Sequence, residues 1–421
     1  MTLLKISYLS AISTIIKIAV GFITNKVIAV YLGPSGLAIV GQLINFMSLI
    51  LNISGNAFTT ATTKYVSEYK DNENYLKTFI STLFKITITS SIIVTVVINI
   101  FSEQLAISVF GSKDFEYIIK IFSISIPIFL INSFALAILN AYRKLKIYII
   151  INILTSLFSM LFIVLLTIKY NIEGTLLSYI VVQYAILLLT FLVIKKEVWF
   201  KLANIKDKFD IEVAKKIGKF SLITLTSVSA SSITLLIVRD YLSGKYSIDS
   251  AGHWQGIWSL SQVSLSIIAT ALSIYLLPTL SAQNDKSIIL KELKKAYILM
   301  IPFAIFISIF MIIFKEYITI ILFSKDFAPM NELYLWQFIG NVFKVGAWII
   351  GYYIAAKAMV KTAIFTEFFV GFTFIGSLMF LTDNFGLVGS SLAYALSSLL
   401  HFMLMIFVFI NNFKGEINAN K

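Results

Sequence analysis

The chain has 421 residues, 58% of them hydrophobic and only 13% charged, with mean hydropathy +0.90. A soluble domain of this length carries about twice that charged fraction, so a water-soluble fold is excluded. The net charge of +13 fits the positive bias of cytoplasmic loops better than nucleic-acid binding, and the absence of cysteine excludes disulfides and thiolate metal sites.

Residues 1–7 carry one lysine and run into an apolar segment too long for a signal-peptide core, with no small-x-small cleavage site. They read as the start of a retained first span. Hydropathy places spans at roughly 8–30, 37–58, 78–100, 117–139, 147–168 and 173–194, then at roughly 217–239, 252–276, 296–314, 332–355, 362–382 and 386–410. Each approaches the ~20 residues that a ~30 Å hydrocarbon core requires. Helices are expected because they satisfy their own backbone, whereas barrel strands are half as long and alternate. Of the 34 Lys and Arg, 23 fall on the N-terminus, the even-to-odd connections and the C-terminal tail, 6 on the opposite side and 5 inside spans, with Lys219 and Arg239 at the ends of span seven counted to the adjoining loops. That asymmetry puts both termini in the cytoplasm and requires an even number of spans. Twelve satisfies it; so do ten and fourteen.

The longest polar stretch follows span six and divides the chain into an N-lobe (1–194), a cytoplasmic linker (195–216) and a C-lobe (217–421). Within this stretch, residues 210–219 (DIEVAKKIGK) have the apolar spacing of a short helix lying on the membrane surface. The halves resemble each other: FGSKDF at 110–115 recurs as FSKDF at 323–327, and NIEGTLLSY at 171–179 recurs in FGLVGSSLAY at 385–394. With six spans in each half, the copies share one topology. The expected fold is all-α and polytopic, with two six-helix lobes related by a parallel pseudo-two-fold around a central cavity.

A polar stripe at helical spacing marks a face turned from lipid. Span one carries Ser10, Ser13, Lys17 and Thr24; span two carries Gln42, Asn45, Asn52 and Asn56; span eight carries Gln255, Ser259 and Gln262; span ten carries Gln337, Asn341 and Lys344. Hydroxyl groups serve equally to join helices, but amides and lysines exceed what packing needs. Lys17 and Lys344 lie near mid-span, where a lysine costs ~2.5–3.5 kcal/mol, and both are expected to line the cavity. Lys26 is nine residues from Lys17 and points to the opposite face unless the helix kinks near Gly21. Arg239, beside Asp240, reads as a gate or a surface pair. Glu367, the one acid placed inside a span, can balance a lysine, couple an ion or sit at the interface. A cationic cavity predicts anionic cargo, because Lys and Arg recognise phosphate through charge-assisted hydrogen bonds. The inside-negative potential favours its outward movement by ~2.3 kcal/mol per charge per 100 mV. The turn at 31–36 (YLGPSG) and Pro127, Pro278 and Pro302 are explained by turns, kinks or helix ends. There is no phosphate-binding G-x-x-x-x-G-K-[ST] loop and no catalytic set, so neither an enzyme nor a cofactor is expected.

Segments 26–37 (KVIAVYLGPSGL), 63–69 (TKYVSEY), 254–256 (WQG), 273–281 (SIYLLPTLS) and 336–346 (WQFIGNVFKVG) resemble, in order, the bacterial O-antigen and enterobacterial common antigen flippases, the Wzx family. That family belongs to the superfamily of multidrug, oligosaccharidyl-lipid and polysaccharide exporters. The resemblance implies flipping of an undecaprenyl-pyrophosphate-linked oligosaccharide, an O-antigen-type repeat unit, from the cytoplasmic to the periplasmic leaflet of the inner membrane. It also implies alternating access driven by an ion gradient or the membrane potential, beside membrane lipids and the polysaccharide polymerase and chain-length machinery. Lys17, Lys26 and Lys344 fall where similar flippases are expected to have lysines. On this reading Lys17 and Lys344, helped by Lys26 and Arg239, hold the pyrophosphate. Gln42, Asn45, Asn52, Trp254, Trp258, Gln262 and Asn341 meet the sugars. Gln262 and Asn341 stand where acids are expected, which puts proton coupling through those positions in doubt. The alternatives are an ion-coupled multidrug exporter of the same architecture and a non-transporting membrane scaffold.

Overall fold

Thirteen α-helices account for nearly all of the computed structural model, which describes residues 3–69, 71–195, 197, 208–283 and 285–419. They are α1 (Leu3–Leu51), α2 (Phe58–Glu68), α3 (Glu73–Ile100), α4 (Ser102–Phe110), α5 (Glu116–Ala141) and α6 (Leu145–Ile194), followed by α7 (Ile211–Lys245), α8 (Ile248–Ala282) and α9 (Lys286–Ile313). The chain continues through α10 (Lys315–Leu322), α11 (Tyr334–Ala356), α12 (Val360–Phe385) and α13 (Val388–Ala419). Side-chain caps set several starts: Asn72 accepts from the Tyr75 N–H, Ser247 from the Ser250 N–H, and Asp285 from the Ser287 and Ile288 N–H groups.

Nine helical stretches among the described residues are long and apolar enough to cross a membrane. Two of them, Ile12–Glu68 with 57 residues and Leu145–Ile194 with 50, far exceed one crossing at ~1.5 Å per residue. The first breaks at Gly33 (φ 68°, ψ −168°), just before Pro34. Glycine tolerates that positive φ, and proline has no N–H to continue the helix ladder. The second breaks at Tyr170 and Asn171, the latter at φ 49°. With each counted as two crossings and α7 added, the described residues of this multi-pass membrane protein hold twelve spans, as expected. Bands of exposed apolar side chains on α3 (Ile92, Ile93, Val96) and α9 (Ile298, Leu299, Phe306) suit lipid contact.

Two compact units divide the chain: residues 1–32 with 39–232, and residues 33–38 with 233–421. In the first, α5 is central and packs on α2, α3 and α6. Ile118, Phe122, Ile126 and Leu130 of α5 are fully buried. Polar contacts join its neighbours to it: the Thr95 hydroxyl donates to the Ser123 carbonyl (2.7 Å), Asn99 to the Ser123 hydroxyl (2.6 Å), and Thr190 to Asn132 (2.8 Å). In the second unit α11 takes that place, packed on α8, α9 and α13. The 33–38 turn belongs to this unit: the Ser35 N–H donates to Asp249 (3.0 Å), and a Cβ on Gly252 would meet the Pro34 carbonyl oxygen at 2.0 Å.

The internal repeat is legible in the backbone. Each SKDF motif forms a 3-10 turn, Lys113–Phe115 and Lys325–Glu332, behind a short helix (α4, α10) and ahead of the central helix of its unit. Arg143 (φ 54°) and Ala358 (φ 52°) hold the same left-handed position after those central helices. Asn171 (φ 49°) and Gly386 (φ 60°) match again at the next turn. A Cβ on Gly174 would meet the Leu166 carbonyl oxygen at 2.2 Å, and one on Gly389 the Leu381 carbonyl oxygen at 2.3 Å. These pairs (143 and 358, 171 and 386, 174 and 389) are all 215 positions apart.

Most of the linker, residues 196 and 198–207, lies outside the described residues. The segment expected as a short surface helix is instead the first part of α7, capped by Asp210, whose carboxylate accepts from the N–H groups of Glu212 (2.8 Å) and Val213 (3.2 Å). Its amphipathic pattern is as read: Val213 and Ile217 are buried, while Glu212, Lys215 and Lys216 are exposed. After Leu222 the helix bends by 43° and continues from Thr224 to Lys245, so the amphipathic segment and the span are two arms of one bent helix.

Candidate functional site

The polar residues of the first unit sit along α1 and the turn after it. Ser10 lies outside the residues whose side chains are described. Lys17 is exposed and makes no ion pair or hydrogen bond among the described residues; Lys26 is half-buried. The helix runs unbroken to Gly33, with no kink near Gly21. At 100° per residue their nine-residue separation therefore leaves the two lysines on opposite faces. Gln42 and Asn52 are buried and Asn45 half-buried. Asn52 opens a feature that sequence reasoning missed, a π-helical turn over Asn52–Asn56 with Gly55 at φ 138°. The wider ladder frees carbonyls, and the Ser90 hydroxyl donates to that of Ser54 (2.5 Å). Gly55 within an apolar span was the available signal.

In the second unit, Arg239 turns inward instead of pairing at the surface. Only 2% exposed, it places its guanidinium over the Trp254 ring (5.6 Å) and donates to the Gln255 amide oxygen (2.5 Å). Trp254 is fully buried, and its indole N–H has no partner among the described residues. It stacks on Trp258 (5.3 Å), which meets Tyr394 edge-on (5.4 Å) and Phe374 face-on (6.4 Å). Asn341 is buried with its amide committed: the oxygen accepts from Ser261 (2.6 Å) and Tyr394 (3.0 Å), and the nitrogen donates to Ser264 (3.3 Å). It thereby ties α8, α11 and α13 together. An aspartate there would have no N–H for Ser264. Gln262, on the other face of α8, is exposed.

One turn beyond Asn341, Lys344 is half-buried and has no hydrogen-bonded partner among the described residues. Near it the second unit holds a cavity of about 300 Å³, lined by Trp348, Tyr352, Thr366, Glu367, His401 and Met405 among others. His401 is 4% exposed, and its Nδ1 has no partner. The Lys344 charge acts on His401 and that of Glu367 on Lys344, without a direct ion pair. Glu367 and His401 thus line one cavity with Trp348, which lies one turn along α11 from Lys344; sequence reasoning did not single out His401. A lone histidine mid-span was its signal.

Outside the spans, charge is used conventionally. The Asp285 carboxyl is held below its usual range by hydrogen bonds from the Ser287 hydroxyl and the N–H groups of Ser287 and Ile288. Lys144 pairs with Glu197, and Lys245 with Asp383.

Known proteins align with this chain over nearly its whole length. It is 26% identical over 410 residues to the Lipid III flippases of Escherichia coli (strain K12) and Shigella flexneri, covering 97% of this chain and 99% of each of those. Its fold is shared with an inward-facing multidrug resistance MATE family transporter of the MOP superfamily (TM-score 0.84, 11% identity, 97% of this chain and 100% of that one). It is shared too with the Lipid II flippase MurJ in an inward closed conformation (TM-score 0.75, 18% identity, 96% and 87%). Residues 3–284 match the family model described as polysaccharide biosynthesis protein, and the chain belongs to that family.

Proposed function

We propose that this protein is a flippase carrying an undecaprenyl-pyrophosphate-linked oligosaccharide, of O-antigen repeat-unit type, from the cytoplasmic to the periplasmic leaflet of the bacterial inner membrane. The observation that carries the reading is Lys344, a cation with no hydrogen bond or direct ion pair among the described residues, part-way along a membrane span, in a chain matching Lipid III flippases over 97% of its length. A lysine kept in that setting is expected to meet an anion, and a diphosphate headgroup supplies charge and several acceptor oxygens. Lys344 in the second unit and Lys17 in the first act on the diphosphate, with Lys26 and Arg239 assisting. Gln42, Asn45, Asn52 and Gln262 meet the sugars by hydrogen bonding. Trp254, Trp258 and Asn341, packed inside the second unit in this conformation, take part as the unit opens during alternating access. Both termini face the cytoplasm. The membrane potential or an ion gradient drives the cycle, with Glu367 in the coupling, and the cargo passes to the polysaccharide polymerase and chain-length machinery.

The test replaces Lys17 or Lys344 with Ala. Each variant should insert in the membrane yet stop surface-glycan assembly, with the lipid-linked precursor accumulating on the inner leaflet. Normal glycan in both variants rejects the assigned roles. The multidrug-exporter alternative is favoured by the TM-score of 0.84 to such a transporter, but at 11% identity that likeness concerns the fold alone. It predicts resistance to organic cations, which a flippase should not confer.

A further inference from the structure

The wall of the second unit's cavity combines an aromatic face with hydrogen-bonding groups that have nothing to bond. Its α11 side is a single helical face, because Trp348, Gly351, Tyr352 and Ala355 recur at i, i+3, i+4 and i+7. Thr366 and Glu367 of α12 and His401 of α13 complete it. Thr366 and Tyr352 have given their hydroxyl protons to the carbonyls of Ala363 and Ala269 (3.0 Å each), so their oxygens are left to accept. Glu367 accepts no hydrogen bond among the described residues, and the Nδ1 of His401, a residue only 4% exposed, has no partner there either. The indole N–H of Trp348 is likewise uncommitted among the described residues and supplies a donor. Glycine weakens a helix interior, yet at Gly351 it keeps the cavity open: a Cβ there would already meet Met405 Cε at 3.4 Å.

The chemistry of this wall sorts the possible occupants. A hydrocarbon chain would leave the carboxylate and the imidazole nitrogen desolvated against it. An organic cation would satisfy Glu367 but give the indole N–H no acceptor. An anion would face Glu367. A sugar ring uses every group: its C–H face stacks on Trp348, its hydroxyls donate to Glu367 and His401, and its oxygens accept from the indole N–H. The volume of about 300 Å³ lies at the bottom of the ~300–1,000 Å³ range of ligand pockets, room for one ring rather than several.

We propose that this cavity is the subsite for the sugar bonded directly to the diphosphate, and that it selects a neutral sugar against a uronic acid. Lys344 heads the same α11 face, four residues and ~6 Å before Trp348, so a sugar attached to a diphosphate at Lys344 reaches the cavity first. The discrimination comes from Glu367: a sugar hydroxyl donates to its carboxylate, whereas a sugar carboxylate in the same place has no proton to give and carries like charge. The subsite rests on the flippase reading, adds Trp348, Tyr352 and His401 to the residues that meet the cargo, and gives Glu367 a part in binding beside its part in coupling.

The experiment measures binding of farnesyl diphosphate and of its glucosyl and glucuronyl derivatives to the purified full-length chain in detergent at neutral pH. The two sugars differ only at C6, and affinities are compared between probes on one variant, so a general loss of affinity cancels. Wild type should bind the glucosyl probe about tenfold more tightly than the bare diphosphate, the worth of one hydrogen bond to a charged group. It should bind the glucuronyl probe about tenfold more weakly than the glucosyl one. Trp348→Leu should bring the glucosyl and bare probes to equal affinity. Glu367→Gln should raise the glucuronyl probe to the affinity of the glucosyl one, a change that loosened packing does not produce. Equal wild-type affinity for the glucosyl and bare probes overturns this inference alone. So does discrimination against the glucuronyl probe that is absent from wild type or survives Glu367→Gln. Failure of all three probes to bind wild type overturns it together with the diphosphate reading.

Discussion

Replacing Asn341 by Ala removes a side chain that makes three hydrogen bonds between α11 and its neighbours α8 and α13. Side-chain hydrogen bonds between membrane helices average ~0.6 kcal/mol, so the loss comes to about 2 kcal/mol. It approaches ~3 kcal/mol if the hydroxyls of Ser261 and Tyr394 find no new acceptor in the space left behind. A cost of about 2 kcal/mol multiplies the unfolded-to-folded ratio by roughly 30. The assay is equilibrium unfolding of purified protein in mixed micelles of rising SDS fraction, with Gln262→Ala as the exposed control, expected within about 0.5 kcal/mol of wild type. A double-mutant cycle with Ser261→Ala should return a coupling of about 0.6 kcal/mol or more. An Asn341→Ala variant as stable as wild type, with no coupling to Ser261, would refute the assignment of this amide as a clasp.

Other consequences are as direct. Gly174→Ala and Gly389→Ala each force a methyl against a carbonyl oxygen, and both should abolish accumulation of folded protein, scored by detergent-resistant chromatography of a fluorescent fusion. Ala358→Gly should stabilise the protein by ~1 kcal/mol in the SDS assay, because a left-handed backbone strains alanine and not glycine. For Asp285 the folded-state affinity for protons is depressed. Its stabilisation is therefore present above the ordinary carboxyl range and is lost as pH falls through the lowered folded value. Hydrogen exchange at the start of α9 should accelerate with that acidification, and Asp285→Asn should remove the dependence.

Much of the architecture was readable from residue types. Run lengths gave twelve crossings, because a bilayer fixes the length of a spanning helix more tightly than water fixes a soluble one. The repeat was readable because Asn171 and Gly386 are residues that tolerate positive φ, and Gly174 and Gly389 admit a carbonyl where no side chain fits. The left-handed Arg143 and Ala358 escaped notice, since neither residue type advertises that conformation. The site was less legible. Polarity marks a side chain as turned from lipid without saying whether water or protein receives it: Gln262 and Asn341 are both span amides, yet one is exposed and the other is locked in a network. Arg239 beside Asp240 suggested a surface pair, but tertiary packing turned it onto Trp254. His401 escaped notice because a lone histidine in an apolar run looks the same whether it faces a cavity or a packed helix.

Reconstitution addresses cargo movement itself. Vesicles holding the purified protein and a fluorescent undecaprenyl-diphosphate saccharide, quenched from outside by a membrane-impermeant reductant, report how fast the inner-leaflet lipid becomes accessible. Wild-type vesicles should lose nearly all fluorescence while Lys344→Ala vesicles stop near half, as protein-free vesicles do. Wild type stopping near half, or Lys344→Ala matching wild type, contradicts the account.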